Sequence, residues 1–90
     1  MNPLDLRKLD REPVSIRAPY DVRRPLIWDL EANRLDYLDA LREPFAGVDL
    51  GSYDQRMIAW LARWDLPTVG TVVSLLHRVR AAAPLTAGES

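Results

Sequence analysis

The 90-residue chain has no cysteine, one lysine and one histidine. Without thiols there is no disulfide framework, no thiolate nucleophile and no thiolate zinc site, so stability has to come from packing. Nowhere do eighteen apolar residues follow one another, and Met1 to Asp5 lacks the apolar run of a secretory leader. Membrane spanning and export therefore lack a signal, and a cytoplasmic location is the expectation. The four glycines, Gly47, Gly51, Gly70 and Gly88, are scattered, leaving no phosphate-cradling loop and no dinucleotide fingerprint. Internal repeats and low-complexity stretches are also absent.

What is present is ordinary globular material, 48% apolar and 28% charged. Ninety residues suffice for one core, since chains of this size bury only about two-thirds of their unfolded surface. Eleven of the twelve basic residues are arginine, a bias typical of a GC-rich bacterial coding sequence. Net charge is −1, which leaves no whole-molecule basic footprint for phosphate binding. Locally the balance is uneven: +2 over Met1 to Arg24, −4 over Pro25 to Arg56 and +1 over Met57 to Ser90.

Residues 1–24 carry Pro3, Pro13 and Pro19 without a sustained apolar period, which reads as an extended basic arm with Arg17, Arg23 and Arg24 in solvent. From Trp28 to Glu43, Leu30, Leu35, Leu38, Leu41 and Phe45 recur near the helical period. Asp29 and Glu31 suit a helix N-terminus, and Pro44 ends the element. A short strand over Pro25 to Leu30 with a turn at Glu31 to Arg34 is the alternative. In Ser52-Tyr53-Asp54-Gln55, Ser52 and Gln55 have the spacing of a capping box, opening a second helix to about Trp64. Asp65 or Thr68 caps a third, with Pro67 in its first turn and Pro84 as its stop. The expected architecture is all-α: three helices over 25–83, the arm over 1–24 and a flexible tail over 84–90.

Chemistry is sparse. His77 stands three residues after Ser74 on one helix, a common spacing with no nucleophile motif around it, so no catalytic residue is assigned. Asp36, Asp39 and Glu43 form a carboxylate row that a helix ordinarily shows to water, with Arg42 placed to pair with Asp39, so no metal site is assigned. No cofactor, small-molecule substrate or membrane partner is implied.

The stretch from Leu61 through Asp65-Leu66-Pro67-Thr68 to Leu75 resembles a helix-turn-helix, the bacterial DNA-binding unit of two helices and a tight turn. The resemblance implies a small regulator with Thr68, Thr71, Ser74, His77 and Arg78 towards the groove and Arg17, Arg23 and Arg24 on the backbone. No Arg, Lys, Asn or Gln lies between Thr68 and His77 to read base edges. The favoured expectation is therefore a non-enzymatic protein-protein interaction or self-associating module. Helices two and three are apolar around most of their circumference, and such surplus marks an interface. Trp60, Arg63, Trp64, Val69 and Val73 are its expected centre, with a second copy in a homodimer, or a larger protein, as partner. If the arm folds back over that surplus, the tryptophans are core instead.

Overall fold

A computed structural model describes residues 6–24 and 29–87, and among them there are three α-helices and no strand: α1 (Leu30–Arg42), α2 (Ser52–Leu61) and α3 (Leu66–Ala87). A single 3-10 turn, Glu43–Phe45, follows α1. This is the small all-α architecture expected from the periodicity.

Each helix starts where an aspartate satisfies orphan amides. The Asp29 carboxylate accepts from the Glu31 and Ala32 amides at 3.0 and 3.3 Å, and Asp65 accepts from the Thr68 amide at 3.2 Å. At α2 the capping register differs from the expected one. Gly51 is the N-cap, its amide donates to Asp54 Oδ2 at 2.9 Å, and Gln55 donates instead to the Leu50 carbonyl. Asp54 is closer in both charge and length to what the Gly51 amide needs.

Three expected boundaries move. Trp28 and Pro25 to Ile27 lie outside the described residues, while Glu31 to Arg34 is helical, so the turn alternative fails there. α2 stops at Leu61, and residues 62–64 form a tight turn in which the Arg63 and Trp64 amides donate to the Trp60 and Leu61 carbonyls, each at 3.1 Å. α3 continues through Pro84 to Ala87, beyond the expected stop. A proline there forfeits one intrahelical bond near the end of a long helix, and the helix bears that loss. Gly88 to Ser90 lie outside the described residues.

The N-terminal segment is not a free arm. Val14 donates to the Tyr20 carbonyl at 2.8 Å, closing a loop around the Ser15 hydroxyl, which donates to the Arg17 carbonyl and accepts from the Arg17 amide and from Arg24 Nε. Ser15, Ile16 and Tyr20 are each no more than 4% exposed. The loop lies against α3 so closely that a β-carbon added to Gly70 would stand 2.7 Å from the Ser15 carbonyl oxygen. Ile16 and Tyr20 thus join Ala40, Leu41, Ile58, Ala62, Val69 and Val73 in one core, and residues 6–24 belong to the domain. The body measures 46 × 33 × 21 Å. Its short axis is about two helix diameters, which leaves few wholly interior positions.

α1 is the hub, packing against both α2 and α3, while the 3-10 turn rests on α3 and is tied to it by Arg80, which donates to the Pro44 carbonyl at 2.7 Å. The local charge imbalance also closes within the chain. Arg17 reaches across to α1, donating through Nη1 to Asp36 at 2.6 Å and through Nε to Glu43 at 3.0 Å. Burial pulls the Arg17 pKa down, but the hydrogen bonds and charges of Asp36 and Glu43 outweigh that, and the net shift is upward. Arg17 is therefore an internal brace and not a solvent-facing cation.

Candidate interaction surface

The end of α2 presents an exposed pair of aromatic rings. Trp60 and Trp64 are each 47% exposed, with ring centroids 5.4 Å apart and planes crossed at 77°. Their spacing of four residues would align them on a helix, and the tight turn after Leu61 keeps them together although the helix has ended. The crossed arrangement places a ring edge on a ring face, the orientation that aromatic quadrupoles favour. Both rings still offer a large apolar area to solvent.

Two open grooves flank Arg63. One, of about 440 Å³, runs between the start of α1 and the turn, lined by Leu30, Arg34, Tyr37, Trp64 and Asp65 among others. The other, of about 470 Å³, lies between the exposed sides of α1 and α2. Glu31, Arg34, Leu35 and Leu38 come from α1, spaced i, i+3, i+4, i+7; Arg56, Ala59 and Trp60 come from α2, spaced i, i+3, i+4, and Ala62 and Arg63 from the turn after it. Arg34 pairs with Glu31. Arg56 and Arg63 make no ion pair among the described residues.

Of the five expected interface residues, the structure brings Trp60, Arg63 and Trp64 together at the surface. Val69 and Val73 are 1% and 0% exposed, so the α3 part of that surface is corrected: the N-terminal loop and α1 cover it, and both valines are core. The folded-back loop packs against α3 at Gly70 and leaves the tryptophans out, with Leu75 and Val79 of α3 also exposed.

The residues expected to face a DNA groove divide in the same way. Ser74 and His77 are 0% and 8% exposed and point inward, not outward. Thr71 is half-buried and donates to the Pro67 carbonyl at 2.8 Å, and Arg78, also half-buried, donates to the Ser74 carbonyl. Thr68 is exposed. In the N-terminal loop, Arg24 donates to Ser15 Oγ and the Ala18 carbonyl and Arg17 to its two carboxylates; only Arg23 of the three is exposed without such a bond. The buried Ser74 hydroxyl has no hydrogen-bond partner, His77 included, so it lacks the contact through which a base activates a nucleophile. No Asp39–Arg42 ion pair forms, and no group of three carboxylate or imidazole side chains among the described residues is placed to hold a metal ion.

Leu30, at 83% exposure, and Leu35, at 53%, were expected on the packed side of α1. A helical wheel carries the missing signal for Leu35. At about 100° per residue it stands roughly 120° from Leu41, the best-buried large residue of α1. Leu30 falls on the core side of the wheel but overhangs the helix end.

The fold is thus defined as a small three-helix all-α domain with an integral N-terminal loop. No family model, curated protein sequence or solved structure matches the chain. No helix among the described residues is long and apolar enough to cross a membrane.

Proposed function

We propose that this chain is a non-enzymatic interaction module whose contact surface is the exposed end of α2, centred on Trp60, Arg63 and Trp64. One observation carries the reading: two tryptophans, the costliest side chains to leave in water, stay half exposed and paired although the fold has an integral loop that covers other apolar surface. Tryptophan and arginine are also the residue types that most often anchor interfaces. The partner is a second copy of the chain or a larger protein. A helix-turn-helix regulator is the competing class; with Ser74 and His77 buried, it would have to work through Thr68, Arg23 and other exposed groups.

Sedimentation of wild type and Trp60→Ala/Trp64→Ala at several concentrations, alone and with sheared duplex DNA at low salt, tests this reading. A mass above one chain, or retention of a protein from lysate, that is lost in the double variant supports it. Assemblies or captures indifferent to both substitutions overturn it. Salt-sensitive co-sedimentation with DNA that survives the substitutions would put the regulator in its place.

A further inference from the structure

Resting on that reading, we infer that the groove between α1 and α2 takes an acidic amphipathic helix from a partner protein. The α1 wall repeats at i, i+3, i+4, i+7 and the α2 wall at i, i+3, i+4 before the turn adds Ala62 and Arg63, so a third helix laid between them meets side chains on either side along its length. The apolar lining, Leu35 and Leu38 opposite Ala59 and Trp60, forms a trough in which the small Ala59 leaves room for an incoming large residue. Leu35 and Trp60 are about half exposed and gain most from being covered.

Charge selects the occupant. Three arginines and one glutamate line the trough, and the glutamate already pairs with Arg34. Arg56 on α2 and Arg63 in the turn that follows it both line the groove, without a carboxylate partner among the described residues. They call for carboxylates on the flank of the incoming helix, where each guanidinium can bind in a fork. A second copy of the chain supplies this poorly. Its exposed helical acids are few, because Asp29, Asp54 and Asp65 cap helices and Asp36 and Glu43 hold Arg17. Nucleic acid is disfavoured by the aliphatic trough and by Glu31 and Asp65, which flank the basic pair and interrupt a path for a polyanion.

The probe is a phage-displayed library of random 16-residue peptides selected on the full chain. The expected result is a consensus with apolar residues at i, i+3 or i+4, and i+7 and with Asp or Glu on the flank. Arg56→Glu/Arg63→Glu should weaken the selected peptides at least tenfold, Trp60→Ala comparably, and Arg11→Glu, exposed on the N-terminal segment and outside this groove, less than twofold. Raising salt from 50 to 300 mM should weaken them severalfold. Failure to enrich any sequence, a consensus without acids, or equal binding to the charge-reversed variant overturns the inference. Circular dichroism of each variant confirms folding. If the Trp60/Trp64 substitutions abolish association while the arginine reversals leave it intact, the interaction module stands and the acidic helix falls. If neither matters, both fall. A single-stranded oligonucleotide that binds wild type in an Arg56/Arg63-dependent manner, with no peptide enriched, assigns the groove to phosphate instead.

Discussion

Replacing Gly70 by alanine probes the seam on which the whole reading of the N-terminal segment depends. In an open mid-helix position this change stabilises by about 1 kcal/mol, because alanine loses less backbone entropy than glycine. Here the new methyl carbon would stand 2.7 Å from the Ser15 carbonyl oxygen and 3.2 and 3.4 Å from two atoms of the Pro13 ring. Carbon-to-oxygen contacts ordinarily sit at about 3.3–3.6 Å, so one atom or the other must move by more than half an ångström. Neither neighbour is a flexible side-chain end: one is backbone, the other a ring, and both Pro13 and Ser15 are buried. Overpacking of this kind costs about 1–3 kcal/mol, and a backbone clash belongs to the upper half of that range. The net expectation is a loss of roughly 1–2 kcal/mol, equivalent to a fall in Tm of about 5–15 °C for a domain of this size. Urea unfolding followed by circular dichroism at 222 nm reads the change directly, as a lower midpoint with an unchanged slope. Adding Pro13→Ala should recover little, since the Ser15 carbonyl is the closer obstacle. A midpoint that rises would show helix propensity acting alone, and the seam between loop and α3 would then be wrong.

Further outcomes follow from the same contacts. Tyr20→Ala should cost about 3–5 kcal/mol, because the ring is 2% exposed and sits in the core; a loss under 1 kcal/mol in the same urea assay would return residues 6–24 to the status of a dispensable arm. Arg17→Ala should destabilise by about 1 kcal/mol, with Arg17→Lys only partly restoring it, since one ammonium cannot reproduce a fork that serves Asp36 and Glu43 at once. Equal stability of the lysine variant and wild type would refute that geometry. Burial raises the Tyr37 pKa above its ordinary value near 10, and the charges of Asp36 and Asp65 raise it further. Its stabilising contribution is complete below the unfolded value and is lost as pH rises through the folded one. Tyr37→Phe should therefore flatten the alkaline fall in the urea midpoint, and an unaltered slope would count against the cause given.

How far the sequence reached can be seen helix by helix. Asp29 and Asp65 open α1 and α3 where local chemistry says they should, and Pro44 closes α1, because caps and breaks depend on bonds spanning two to four residues. The α2 N-cap is Gly51, one position before the Ser52 that the pattern favours, in a run where Ser52 and Asp54 both offer oxygens and local pattern alone ranks such competitors poorly. The charge imbalance between the first 24 residues and the next 32 was visible, but not that Arg17 would absorb it across 19 and 26 positions of chain.

Periodicity and capping residues already call for three helices and leave surplus apolar surface on the last two. Which part of that surplus stays exposed depends on long-range packing. α3 is apolar around most of its circumference and has no preferred inward face of its own. The face is chosen by contacts about 55 residues apart, where Pro13 and Ser15 approach a helix that glycine has left bare at position 70. The loop closes on α3 at that point, Val69, Val73, Ser74 and His77 are buried, and Trp60 and Trp64 remain at the surface.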